Sequence, residues 1–452
     1  MQTTSQFLLP LFLFAAGALT AHSAHAANPI LPNIGVCDPQ VRVFDGQVYL
    51  YATHDYSPDN KYFRMDDWWA WSSDDLVGWK YGCTLKPEQT YIGQPFHDCW
   101  ATDAASKNGR YYWYFSAGQN DIGVVEAPTP VGPWSDPLGK ALVPKGLTPT
   151  EQRDPGILMD DDGANYLVYG TFDFYLVRLG EDMTSLAEKP RHIELDTKFG
   201  PYGAGRTDDK PFLHQRGGKY YLSWGCYYAM ADNPYGPYTY KGSVITPEST
   251  DAQFLKPDLT AARHGSFFEF NGQWYFICND FSQPGTHGSY RNSILSYVHY
   301  RENGEMAPVH INANGVGTYD AAHQVEAEDY FKAAGATQHE TASGGFEVRG
   351  LTDGSQLFYP KIRNAPPVAN LVLRLSNGNG QNGKVEVRRD SAKGELIGSA
   401  IIPRTGGWDK YVDVEIPLKT TTAPLDLALT FRGGKGELAR LDWWQMKEAK
   451  RR

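Results

Sequence analysis

Five stretches of the chain repeat one hydrophobic–polar pattern: an apolar run, a polar turn built on glycine, and an aromatic run. They read VRVFDGQVYLY (41–51), AASKNGRYYWYFS (104–116), GILMDDDGANYLVYG (156–170), PFLHQRGGKYYLSWG (211–225) and GSFFEFNGQWYFICN (265–279). DG, NG or GG between two strand-like runs is a strong hairpin signal, because the tight turn needs residues at ease with positive φ. The turn glycines Gly46, Gly109, Gly163, Gly218 and Gly272 follow one another at intervals of 63, 54, 55 and 54 residues. A period of that size leaves room for four short strands per unit, and strand-like stretches at 72–81, 127–136 and 231–240 lie between the hairpins. Units of this kind protect their edges by closing on themselves. The pattern predicts an all-β fold, a five-bladed β-propeller, over residues 27–318.

A polar residue stands just before each hairpin, at a near-constant offset from the turn glycine: Asp38 (8 residues before), Asp103 (6), Asp154 (9), Asp209 (9) and His264 (8). In a propeller, equivalent positions are related by rotation about the axis, so these five side chains are expected around one axial mouth. Four carboxylates and an imidazole crowded together are costly and persist for catalysis or ion binding. For Asp103, whose offset differs, a turn cap or a bond to backbone amides is the alternative.

The chemistry that suits such a ring is glycosidic bond cleavage. One acid protonates the leaving oxygen, a second activates water, and a third charge can tune the first. No G-x-S-x-G, Walker, HExxH or CxxC pattern competes. DDDG (160–163) lacks the Glu six residues after its glycine that a calcium loop requires, and reads as a turn. A formal charge of −10 offers no field to attract phosphates, which excludes nucleic acid as the main partner. An aromatic content of 13% suits flat sugar faces, and Trp100, three residues before Asp103, is the candidate stacking platform. The five cysteines read as buried thiols, with Cys83–Cys99 a candidate disulfide.

Residues 1–26 carry no Lys, Arg, Asp or Glu, with an apolar run from Phe7 to Leu19 and a small-x-small site at Ala24-His25-Ala26. They read as a signal peptide, predicting a secreted or periplasmic protein; the run is too short to span a bilayer, and no later stretch spans either.

CDPQVRVFDGQVYLYATHD (37–55), CWATDAASKNGRYYWYFS (99–116), RDPGILMDDDG (153–163), TDDKPFLHQRGGKYYLSWG (207–225) and ARHGSFFEFNGQWYF (262–276) resemble, in order and spacing, the five blade motifs of glycoside hydrolase family 43. The resemblance implies Asp38 as general base, Asp154 as the residue that tunes and orients the acid, and the fourth-blade acid as proton donor. It places His264 near an axial ion or water, and the second motif carries Thr102 where the family has Pro; Asp103, with Trp100 and His264, is a candidate substrate-binding residue from its position in the repeat. It implies inversion of configuration, with about 6.5–9.5 Å between base and acid. The family's donor is Glu in an E-G-P setting, whereas this chain has Asp209-Lys210-Pro211. Asp209 is the first candidate donor; Asp208, Glu269 or a loss of acid catalysis are the alternatives, and a neighbouring Lys210 would lower a carboxyl pKa.

From HQVEAEDYFKA (323–333) onward, the chain resembles a family 6 carbohydrate-binding module, with GGWDKYVDVEIPL (406–418) and RLDWWQM (440–446) as later strands. This predicts a β-sandwich (jelly-roll) over residues 319–448, and Glu326, Glu328 and Asp442 match the family's structural Ca²⁺ ligands. Of the three sugar-cleft residues only Trp408 matches; Gly350 and Arg440 replace the aromatic and the Asn, which favours a structural role for the module. The expected activity is an exported glycosidase removing terminal sugars, foremost α-L-arabinofuranosyl, from plant polysaccharide, with β-xylosidase and β-D-galactofuranosidase as alternatives. A non-catalytic sugar-binding propeller and an ion-binding structural propeller are the rivals.

Overall fold

The structure, a computed structural model, describes residues 28–449 apart from 61, 256–262, 283–289, 420 and 422–423. The signal-peptide reading of residues 1–26 lies outside the described residues. The protein is all-β, about half strand and 2% helix.

The repeated pattern folds as antiparallel hairpins. Val36–Phe44 pairs with Gln47–Asp55 around Asp45-Gly46, whose φ angles are 51° and 78°. Asn108-Gly109 (52°, 72°) and Asn271-Gly272 (55°, 76°) turn in the same way. Both central residues are left-handed, as a type I′ turn demands and as Asn, Asp and Gly tolerate.

Each hairpin grows into its own sheet of three or four strands, led by Val36–Phe44, Cys99–Lys107, Gly156–Met159, Pro211–Arg216 and Gly265–Phe270. Among the described residues no ladder joins one of these sheets to the next. Their leading strands instead pack side by side in chain order, and Gly265–Phe270 comes back against Val36–Phe44. The spaces between sheets are filled by separate clusters, such as Trp68, Trp113 and Phe115 between the first and second, or Phe267, Tyr221 and Trp224 nearer the last two. Large rings suit wedge-shaped gaps because each covers much apolar area with few rotatable bonds.

Residues 319–448 form two further sheets. One runs Tyr319–Asp320, Gln356–Arg363, Leu425–Gly433, Gly383–Arg389, Leu396–Ile402; the other runs Thr337–Glu340, Phe346–Leu351, Ala439–Glu448, Ala369–Ser376, Val412–Pro417. Their inward positions alternate with outward polar ones, so Leu357, Tyr359, Leu427, Leu429 and Phe431 meet Leu371, Leu373, Leu441 and Trp444 in one core. All five cysteines are free, so Cys83 and Cys99 are not bridged.

The two regions are tied by polar contacts. Gln273, fully buried, donates to the carbonyls of Glu328 and Tyr330 at 2.5 and 2.8 Å. Both ring nitrogens of His299 meet acceptors, Asp329 Oδ1 at 2.8 Å and Gln338 Oε1 at 2.9 Å. A ring that donates twice is an imidazolium, and although burial opposes the charge, the bond and charge of Asp329 hold its pKa up at about 9. Burial likewise pushes the neighbouring Glu328 up to about 8. Both groups bind protons more tightly folded than unfolded, so stability falls as pH rises. The His299 contribution, of order 3 kcal/mol, is complete below its ordinary value of 6.5 and lost as pH passes 9. Melting temperatures are expected to drop between pH 6.5 and 9, and His299→Gln to flatten that drop; an unchanged slope in the variant would refute the assignment.

Candidate active site

Asp38, Asp154, Asp209 and His264, although spread over more than 220 residues, line one cavity of about 240 Å³, with Trp100 in its wall. Asp38, the third residue of Val36–Phe44, and Asp154, just before Gly156–Met159, have left-handed backbone, φ 48° and 57°, and Lys210, next to Asp209, has φ 60°. Three non-glycine residues in this costly region at one cavity are the mark of a site where strain is maintained for function. At Asp38 the pairing slips between Cys37 and Gln40, which turns the side chain out of the ladder.

Asp38 is 5% exposed and heavily held. Its Oδ1 accepts from Arg291 Nη1 at 2.6 Å and Asn279 Nδ2 at 2.7 Å, with His264 Nδ1 at 3.5 Å. Its own N–H donates to Asn279 Oδ1 at 2.7 Å. Burial by itself would raise its pKa, but Arg291, His264 and Asn279 outweigh burial and keep it below the usual carboxylate value. Arg291 is held in turn by Asp55, through Nε at 3.0 Å and Nη2 at 2.9 Å. His264 is neutral near pH 7, since burial and then the nearby Lys210 and Arg291 bring its pKa down to about 4 against the pull of Asp38.

Asp154 has the opposite environment. One oxygen, Oδ2, accepts the Lys210 N–H at 2.9 Å. Burial, with Asp209 and Asp38 adding to it against Arg153, raises its pKa to about 7. Asp209 meets a cation at each oxygen: Lys210 Nζ at Oδ1 and Arg153 Nη2 at Oδ2, the latter at 3.2 Å. These outweigh burial and hold it far below the carboxylate range. Lys210 Nζ also contacts Asp208 Oδ2 at 2.6 Å. Asp208 lines the same cavity, and burial raises its pKa despite Lys210.

Two expectations fail on position. Asp103 does not line the cavity. Its carboxylate is fully buried, pairs with Arg42, and accepts from the N–H groups of Ala104 (2.7 Å) and Ile157 (2.6 Å). Arg42 also donates to the Ile157 carbonyl at 2.5 Å, so the pair stitches three leading strands together instead of binding substrate. Glu269 is exposed in a separate depression with Arg42 and His214 and does not reach the acids. The cavity also holds residues that the repeat pattern did not single out: Arg153, Asn279, Arg291, Tyr202 and Phe63. Only Arg153 had a local signal, its place beside Asp154. Asn279 lies on the middle strand of the last sheet, Gln273–Asp280, and Arg291 just before its third strand, Asn292–Val298, and both reach Asp38 across more than 240 residues.

Among the described residues no group of three or more His, Cys, Asp or Glu side chains is disposed to hold a metal. Glu326, Glu328 and Asp442 do not form such a set. Glu326 Oε1 accepts from Gln324 at 2.9 Å, Asp442 Oδ2 lies 3.5 Å from Arg374 Nε, and Glu328 Oε2 is buried without a partner. Among the described residues no cluster of that kind forms around His264 either. At the surface of the same region, the guanidinium of Arg440 lies 4.7 Å over the ring of Trp408, covering the face that a sugar would stack upon.

Comparison with known proteins gives a consistent picture. The model of the family described as "Glycosyl hydrolases family 43" matches residues 26–306, and that of "Carbohydrate binding module (family 6)" matches residues 326–448. An arabinoxylan arabinofuranohydrolase of Paenibacillus polymyxa is 30% identical over 93% of this chain and 74% of its own. The solved structure of a family 43 arabinoxylan arabinofuranohydrolase from Bacillus subtilis, in complex with cellotetraose, superposes with a TM-score of 0.56 at 24% identity, over 93% of this chain and 97% of that one. A GH43_1 enzyme from Xanthomonas citri, complexed with xylotriose, gives 0.52 at 26% identity over 62% and 92%.

Proposed function

The chain belongs to glycosyl hydrolases family 43 and carries a family 6 carbohydrate binding module, and from that premise we propose that it is an exported inverting glycosidase that removes single terminal sugars, foremost α-L-arabinofuranosyl, from arabinoxylan. The observation that carries the reading is the meeting of an ionised Asp38 with a protonatable Asp154 in one small cavity. One carboxylate can take a proton from water while another acid supplies one to the leaving oxygen. Asp38 Oδ1 is committed to Arg291 and Asn279, which leaves Oδ2 for the water. At about 240 Å³ the cavity lies below the ~300–1,000 Å³ of larger ligand pockets, which suits one sugar ring and exo action. The relative from Paenibacillus polymyxa supports arabinofuranosyl as the first choice, and the xylotriose complex keeps β-xylosyl as the alternative.

The ring of leading strands supports a five-bladed propeller beneath this site, and the two facing sheets a jelly-roll sandwich behind it. One observation favours a second reading, a non-catalytic sugar-binding propeller: the residue at the family's donor position is locked to two cations. A panel of aryl glycosides separates the two. The glycosidase releases arabinose from aryl arabinofuranoside and arabinoxylan, and proton NMR of the first product shows the inverted anomer. Binding of the sugar by calorimetry with no turnover on any member of the panel would select the non-catalytic reading.

A further inference from the structure

We propose that Asp154, not Asp209, donates the proton to the departing glycosidic oxygen, and that Asp209 is a positioning residue clamped as an anion by Lys210 and Arg153. The assignment rests on the glycosidase reading above and concerns how the same cavity divides its labour.

A donor must hold a proton at working pH and present it to the substrate. Asp209 lines the cavity but fails the first condition. Each of its oxygens faces a cation, and protonating it would leave Lys210, 4% exposed, and Arg153 without part of their counter-charge. Its side chain is also one methylene shorter than the Glu that usually occupies this position. Lys210 reinforces the clamp. It stands where the family has glycine, and it bears the left-handed φ of 60° that a glycine would adopt freely. From there it folds its Nζ back onto the carboxylates of the two residues before it. A long cationic side chain kept in strained backbone at an active site indicates that its charge is used there.

Asp154 meets both conditions. Among the described residues its only side-chain hydrogen bond is the one that Oδ2 takes from the Lys210 amide, so Oδ1 is free to carry and direct a proton. The guanidinium of Arg153, its chain neighbour, is turned instead to Glu151, Thr171 and Asp209. Burial beside two anions, Asp38 and Asp209, makes the neutral form the stable one up to about pH 7. In the step that follows, the Asp154 proton moves to the glycosidic oxygen, and the bond from that oxygen to the anomeric carbon breaks with its electron pair going to the leaving alcohol. Water attacks the anomeric carbon from the other face and gives its proton to Asp38. Solvent then returns one proton to Asp154 and takes one from Asp38. Asp209 contributes by its negative charge, which discourages ionisation of Asp154, and by fixing Lys210, whose amide orients it.

The test is the dependence of kcat/KM on the leaving group. Asp154→Asn is expected to lose about 10²–10⁴-fold on a phenyl glycoside but less than about tenfold on a dinitrophenyl glycoside, whose departure needs no proton. Asp209→Asn keeps the leaving-group dependence of the unaltered protein. Because it removes an anion and frees two cations near Asp154, it moves the basic limb of the pH profile to lower pH. Calorimetric binding of the released sugar shows that each variant retains a folded site. A leaving-group-dependent loss in Asp209→Asn, together with a uniform loss in Asp154→Asn, overturns the assignment while leaving the glycosidase reading intact. Failure of the unaltered protein to turn over any glycoside overturns both.

Discussion

Asp38→Asn is expected to lower kcat by about 10²–10⁴-fold, at every leaving group, with little change in melting temperature. The amide keeps the shape of the carboxyl and one oxygen that can still accept from Asn279 and Arg291. Arg291 retains its two-point pairing with Asp55, so no cation is stranded. What disappears is the group that takes the proton from water. The same variant should be insensitive to the acid limb of the pH profile. In the unaltered protein that limb lies below the ordinary carboxylate range, because Arg291, His264 and Asn279 hold Asp38 ionised. Activity is lost as pH falls through the Asp38 value and, at the other end, as pH rises through the Asp154 value near 7. Steady-state kinetics on an aryl arabinofuranoside beside a thermal melt decides the matter: activity within tenfold of the unaltered protein would remove Asp38 from the base role.

Arg291→Met is expected to cost about 3–5 kcal/mol of stability as well as activity, because it strands two buried carboxylates. Asp55 is fully buried and Asp38 nearly so, and Arg291 is the cation that both contact. Burial already raises Asp55, and without Arg291 both acids would bind protons at higher pH. The variant should therefore recover part of its stability on acidification, the reverse of carboxylates such as Asp173 and Asp209, whose cations hold them below their ordinary values. Urea unfolding at pH 5 and 7 measures this. A loss below about 1 kcal/mol, or one independent of pH, would mean that solvent compensates these charges.

Much of the fold was legible because hairpins are local. An Asn-Gly or Asp-Gly turn between alternating runs specifies its own backbone, and Phe44↔Gln47 pairs just where that rule places it. The offset from the turn glycine then brought Asp38, Asp154, Asp209 and His264 to one cavity, since equal steps along equivalent strands end at equivalent depths. Asp103 broke the rule by two residues. It lies inside Cys99–Lys107, opposite Tyr114 and just past a slip at Trp100/Thr102, so its side chain meets Arg42 between the sheets. The sequence also pointed to Glu326, Glu328 and Asp442 as a calcium set, but in the fold Glu326 accepts from Gln324, Asp442 lies beside Arg374, and Glu328 Oε2 is buried without a partner.

The sequence by itself determined the repeat, the hairpins and that Asp38, Asp154, Asp209 and His264 would share one cavity, because each depends on short-range spacing. Only the tertiary structure decided what charge those acids carry. Asn279 and Arg291 reach Asp38 from more than 240 residues away, the directions taken by Lys210 and Arg153 hold Asp209 as an anion, and burial keeps Asp154 protonatable. Protonation follows distance and burial in space, and neither is written in the order of residues along the chain.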